Sequence, residues 1–405
     1  MSKLQRKIIS IVLVIALGFV LTACGGNGGS GSGSGSGGGG NGGGGGGGGG
    51  APASGGSDDG PIVVGVLLPI SGSEAFYGID MNNAYTMAVE RVNAQGGVLG
   101  RQFELLSVAD DGCDPLMAAQ AATMITSRDP HFVVGGYCSG ATIPALQEFH
   151  DNNLVMLISA ANSTRITDEG LPQTFMINSP GTHQIDKLVS LLSHLDVTKV
   201  SVIHQGDDYT QNLSDISNEK LPPAGFEIVS TEVMERGAPD VSAIVTSIRN
   251  AGAEVVFWGG YFADGGNVIR QLRQGGFEGY IVCGDGSSST ELIPAAGEAG
   301  DGVFVLSPPA VEFADGGEEF EAAYIGQFNQ PPGAYATLAY DTIMVLAEAI
   351  SRAGSIDPDA VRESVQNISY NGLSGLIQFA PNRELLHSNF IVLQIQGDRY
   401  GLYTF

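Results

Sequence analysis

The stretch Phe132-Val133-Val134-Gly135-Gly136-Tyr137-Cys138-Ser139-Gly140-Ala141-Thr142 decides how the rest of the chain is read. A short β-branched run leads into two glycines, then a cysteine and small hydroxyl residues ahead of a helical pattern. A parallel strand that ends by presenting a helix N-terminus has this form. Glycine lets the backbone come close to a bound group, and the first N–H groups of a helix have no internal partners. A carboxylate placed there is held by those donors and by the helix dipole. Ser139 adds a hydroxyl that can donate to the same anion. Taken alone, Ser139 also reads as a simple helix cap.

On either side of that stretch, strand and helix alternate from Pro61 onward. Strands are expected at Ile62–Ile70, Phe103–Val108 and Val155–Ser159, with helices at Ala84–Asn93, Met117–Ser127 and Pro144–His150. After Asn178-Ser179-Pro180 a second series begins. Its strands are Val200–His204, Glu227–Glu232, Val255–Trp258 and Tyr280–Cys283, and its helices Gln184–His194, Asn212–Lys220, Val241–Asn250 and Asn267–Gln274. Alternation at this spacing predicts an α/β fold of two doubly wound parallel-sheet lobes. The remainder is less regular: a strand near Gly302–Leu306, helices Gly317–Gln327 and Ala336–Ala353, and strands around Leu376–Phe379 and Phe390–Ile395. It reads as the chain returning to complete both lobes, 61–178 plus 309–376 and 179–308 plus 377–405.

The N-terminus carries a different message. Lys3, Arg6 and Lys7 precede an apolar run from Ile8 to Val20, followed by Leu21-Thr22-Ala23-Cys24. This resembles the lipobox of bacterial lipoprotein signal peptides, which implies a leader over residues 1–23 and lipid on Cys24. The apolar run is shorter than the ~20 residues a bilayer requires. Residues 24–60, nearly all Gly, Ser and Asn, cannot form a core and read as a tether reaching roughly 30–35 Å. An exported, lipid-anchored and otherwise soluble protein is expected, with no nucleic-acid partner. The formal charge of −25, or −28 once the three bases of the leader are removed, repels phosphate backbones. In an oxidising compartment two of the remaining cysteines, Cys113, Cys138 and Cys283, should pair. Cys113 and Cys138 both follow strand-like runs, but spacing alone does not decide the pairing.

Ligands of open α/β sheets sit beyond the carboxyl ends of strands. The polar groups at those ends are Ser139, Asn162, Asp285, Tyr77, Tyr137, Tyr209 and Tyr261, with Tyr335 balanced between pocket and core. Donors suit a carboxylate, the lone acid Asp285 suits an ammonium, and tyrosines supply apolar walls with a hydroxyl at the tip. An α-amino acid needs that combination. Asp110, Asp111 and Asp114 read as turn and cap residues rather than a metal cluster, and Trp258 reads as core.

At this point residues 61–405 closely resemble the branched-chain amino-acid binding proteins of ABC importers, the Leu/Ile/Val type. The marks are Ser71-Gly72 with Tyr77-Gly78, Asn93-Ala94-Gln95-Gly96-Gly97 and Asp110-Asp111-Gly112-Cys113-Asp114-Pro115. Gly136-Tyr137-Cys138-Ser139 and Gly259-Gly260-Tyr261 complete them. The resemblance implies the type I periplasmic-binding fold with a three-strand hinge, a Cys113–Cys138 disulfide, and a monomer that works with membrane permease subunits without cofactor or metal. It also implies that Ser139, Ala160 and Asn162 hold the ligand from the first lobe. Tyr261 and Asp285 would close on its ammonium, flanked by Tyr77 and Tyr209. Asn162 stands where the family usually has Thr, Asp285 where it has Glu, and Tyr137 where it has an aliphatic residue. The expected ligand is an amino acid, branched-chain or otherwise apolar. An amide or urea solute, or a sensory role in the same fold, is the alternative, and Asp285 argues against the uncharged ligands. No nucleophile-elbow, zinc-protease or Cys-x-x-Cys pattern points to an enzyme.

Overall fold

The structure, a computed structural model, describes residues 60–405. The expected leader, Cys24 and all but the last residue of the tether lie outside the described residues. Strands β1 (Ile62–Leu68), β2 (Phe103–Leu105) and β3 (Ala109–Asp110) open the chain, with helices α1 (Ala75–Ala94) and α2 (Pro115–Thr126). There follow β4 (Phe132–Gly135), α3 (Ser139–Asp151), β5 (Val155–Ile158), the short α4 (Arg165–Asp168) and β6 (Thr174–Met176). These strands form one parallel sheet in the order β2-β1-β4-β5-β6, with β3 also on β1. β4 and β5 are buried along their whole length. That is why they read as continuous apolar runs rather than alternating ones.

The second series contains α5 (Gly181–His194), β7 (Lys199–His204), α6 (Asp208–Lys220), β8 (Glu227–Val233) and α7 (Ser242–Ala251). It continues through β9 (Val255–Trp258), α8 (Phe262–Gln274), β10 (Tyr280–Cys283), α9 (Leu292–Ala296) and β11 (Phe304–Ser307). The chain then returns to the first half with α10 (Gly317–Phe328), α11 (Ala336–Ala353), α12 (Pro358–Gln366) and the hairpin β12 (Tyr370–Gly372)–β13 (Gly375–Ile377). α11 packs along α1. Finally β14 (Ile391–Gln396) and β15 (Arg399–Leu402) add antiparallel edge strands, giving the second sheet the order β15-β14-β11-β10-β9-β7-β8. Three chain crossings therefore connect the halves, after β6, after β11 and after β13.

Several helices begin earlier than the periodicity predicts. α1 starts at Ala75 rather than Ala84, α3 at Ser139 rather than Pro144, α6 at Asp208 rather than Asn212, and α8 at Phe262 rather than Asn267. Their first turns carry Gly, Ser, Asp and Tyr in place of a repeating apolar stripe. In α8, Cβ atoms at Gly265 and Gly266 would press on Trp258 Nε1 at 3.1 Å and Ala295 Cβ at 2.6 Å, so glycine permits that close packing. The strand expected at Phe103–Val108 ends at Leu105, β3 forms just beyond it at Ala109–Asp110, and β6, α12 and β15 escaped the reading altogether. Asp110 accepts Gly112 N of its own loop and Ile70 N of the loop after β1, Asp111 accepts Cys113 N, and Asp114 caps α2 through Leu116 N and Met117 N at 2.9 Å. Cys113 and Cys138 are disulfide-bonded, and Cys283 is a buried free thiol. Trp258 is wholly buried.

Candidate ligand-binding cleft

The turn after β10 places Asp285 at the seam between the halves, 1% exposed. A buried carboxylate is costly unless its oxygens accept hydrogen bonds. Here Tyr209 OH (2.6 Å) and Gln184 Nε2 (2.7 Å) donate to Oδ1, and Asn162 Nδ2 (2.9 Å) and Asn178 Nδ2 (3.1 Å) to Oδ2. Burial pushes the carboxyl above its ordinary value, while the bonds from Tyr209, Gln184 and Asn178 pull it back. Two of the four donors come from each half. Tyr335 OH adds a bond across the seam to the Asp285 carbonyl at 2.8 Å.

Above this carboxylate lie tyrosines from both halves. Tyr209 enters from the first turn of α6, which Asp207 caps through Tyr209 N and Thr210 N. Tyr261 is the residue before α8, its ring 5.3 Å from Tyr209 and 6.3 Å from Tyr137. Tyr137 stacks on Tyr77 at 4.8 Å and meets Tyr335 edge-on at 5.3 Å. Tyr137, Ala160, Asn162, Tyr209, Tyr261, Asp285, Gly286 and Tyr335 enclose a cavity of about 10 Å³. That is about the room one water needs.

Seven of the nine expected ligand residues thus line one space. The other two are set back: Tyr77 lies behind Tyr137, and Ser139 opens α3 with its Oγ accepting from Ser163 N at 3.3 Å. The α3 N-terminus carrying Ser139 is nevertheless at the end of β4, next to Tyr137. Gly135 (φ 134°) and Gly136 (φ 76°) make that approach possible. A Cβ at Gly135 would run into the Leu67 carbonyl.

Four residues of the cleft escaped the sequence reading. Asn178 was visible only as the boundary before Pro180, and Gln184 as an interior helical residue. Glu74 is buried beside Tyr137, whose hydroxyl donates to Oε2 at 3.3 Å. Arg236, from the loop after β8, reaches Glu74 Oε1 at 3.6 Å and lies 4.2 Å over the Tyr261 ring. Burial raises the Glu74 carboxyl, and Arg236 counters it. Nothing in a local sequence window marks such a pair, since each looks like an ordinary charged loop residue.

Two parallel-sheet halves, three crossings and a buried polar seam between strand ends define a hinged two-lobe binding protein. The chain belongs to the periplasmic binding protein family, whose model matches residues 61–399. It is 31% identical to Leu/Ile/Val-binding protein homolog 1 of Brucella abortus, over 78% of this chain and 84% of that protein. It is 27% identical to the leucine-, isoleucine-, valine-, threonine- and alanine-binding protein of Pseudomonas aeruginosa, over 82% and 88%. Among solved structures, the leucine-binding protein LivK of Thermotoga maritima superposes with a TM-score of 0.78 at 25% identity, covering 85% of this chain and 98% of that one.

Proposed function

We propose that this chain is the extracytoplasmic substrate-binding component of an ABC importer. It captures an amino acid, branched-chain or otherwise apolar, between lobes that close about the hinge. One observation carries the reading. The buried carboxylate of Asp285 in the second half borders a space walled by Tyr137, Tyr209, Tyr261 and Tyr335, and the α3 N-terminus of the first half begins two residues after Tyr137. A zwitterion needs an anion for its ammonium and helix N–H groups for its carboxylate. The names of the relatives support the same ligand class.

Opening the lobes is what admits the ligand, because the closed cavity is far smaller than an amino acid. Asp285 is shared with Asn162 and Asn178 of the first half, and the ammonium takes the place of these amides. Closure then supplies contacts with Tyr209, Tyr261 and Asp285 that the open form lacks, which is what shifts the population. The lobes are 61–178 plus 309–376 and 179–308 plus 377–405. Cys24 carries the lipid anchor, and the closed monomer is read by permease subunits. This is a binding role and not catalysis. A thermal-shift screen of the twenty amino acids, with urea and acetamide as controls, tests it. Stabilisation by apolar amino acids is expected, and stabilisation by the amides alone would overturn the reading.

A further inference from the structure

We propose that the cleft selects by side-chain length, taking alanine, threonine or valine ahead of leucine, isoleucine and phenylalanine, with Tyr137 setting the limit. The inference rests on the amino-acid reading above and narrows it. Tyr137 takes its nearest contacts from the first half, with Tyr261 of the second half farther off at 6.3 Å. Its ring stacks on Tyr77 of α1 at 4.8 Å and 26°, and it meets Tyr335, at the head of α11, at 5.3 Å. Its hydroxyl is held by Glu74. The backbone beneath cannot retreat, because a Cβ at Gly136 would already touch Thr142 and Ile158 at 3.0–3.1 Å.

Hinge opening separates the halves but leaves each one unchanged inside. Tyr209, Tyr261 and Asp285 withdraw, whereas the Tyr77–Tyr137–Tyr335 wall stays with the helix end that takes the ligand carboxylate. Room is therefore gained for the ligand's main chain, on the Asp285 side, and not for a long side chain against Tyr137. A leucine or phenylalanine that forced the ring aside would bring hydrocarbon against the buried Glu74 carboxylate and its partner Arg236. Desolvating an ion pair without replacing its hydrogen bonds is unfavourable. A side chain of one to three heavy atoms avoids that contact.

Calorimetry on the purified protein with alanine, threonine, valine, leucine and phenylalanine tests the proposal. Valine or alanine is expected to bind at least tenfold more tightly than leucine. In Tyr137→Leu, leucine is expected to gain tenfold or more while alanine changes less than threefold. Tyr137→Phe keeps the ring and loses the bond to Glu74, so it should keep the wild-type order. A wild-type protein that binds leucine as tightly as valine and alanine overturns the length limit and leaves the amino-acid reading standing. A protein that binds none of the five overturns both.

Discussion

In the half built on the first sheet, three of the four carboxylates buried among the described residues are tied only to that half, the fourth being Glu74, which reaches Arg236. Asp80 accepts from Tyr324 OH and Gly333 N, Asp111 from Cys113 N, and Asp341 from Leu373 N, Ser374 N and Ser374 Oγ. In the second half the buried carboxylate among the described residues is Asp285, and two of its four donors belong to the first half. The first half also holds the disulfide and the Tyr77–Tyr137–Tyr335 stack. One half is thus internally knotted, while the other places its buried charge where only the partner half or a ligand can complete it. Rigidity and responsiveness are divided between the lobes, as a hinged receptor needs.

Cutting the knot should give the largest effect. The disulfide closes a loop with a sequence separation of 25, for which loop entropy gives about 3.5 kcal/mol. Cys113→Ser with Cys138→Ser is expected to lower the unfolding free energy by about that amount in urea titrations. An unchanged midpoint would mean that the first half does not depend on this tie. Asp285→Asn strikes the other half. It keeps the shape and removes the charge, so amino-acid affinity is expected to fall about 100-fold, roughly 2.7 kcal/mol. A loss under threefold in calorimetry would remove Asp285 from the ammonium site.

Much of the second half's cleft was legible because loop tips announce themselves chemically. Gly259-Gly260-Tyr261 and Gly284-Asp285-Gly286 are turns no helix or strand would choose, each directly after an apolar run. β9, β10 and α11 fall where the periodicity places them. What stayed hidden depends on distance along the chain. Asn178 and Gln184 meet Asp285 across separations of 107 and 101 residues, which no window can register. The first half of α1 was hidden for another reason. Ala75 to Asn83 mixes Tyr, Gly and Asp that face the cleft and the α10 contact rather than one core, so no apolar stripe forms.

Acid–base behaviour should separate the halves at a smaller scale. Burial lifts the Asp80 carboxyl from the ordinary 3.8 to about 6, Asp341 likewise to about 6, and Asp111 to about 7. A folded-state value above the unfolded one gives a contribution that is fully present below about pH 4 and lost as pH rises through the folded value. The protein should therefore be more stable at pH 5 than at pH 8. Asp80→Asn should flatten that difference by about 1.5 kcal/mol. Parallel pH dependences for wild type and variant, in denaturant titrations, would show that Asp80 does not titrate in this range.

The smallest expected effect concerns the clasp at the rim. Arg236 is about one-third exposed, with its guanidinium over Tyr261 and facing the nearly inaccessible Glu74. While Arg165 of the first half pairs with Asp208 and Asp215 of the second elsewhere along the seam, Arg236 ties the halves beside the tyrosines. Solvent screens such a pair, so its worth is at the modest end for ion and cation–π contacts. Arg236→Ala is expected to weaken amino-acid binding about threefold through faster dissociation, with association little altered. Stopped-flow measurements in 0.5 M salt should shrink the gap between wild type and variant, since salt weakens the same contact. A variant whose loss lies in the association rate would instead place Arg236 in the steering of the ligand toward the open cleft, and the seam would then be held by Asp285 and Tyr335 together with Arg165, which pairs with Asp208 and Asp215 across it.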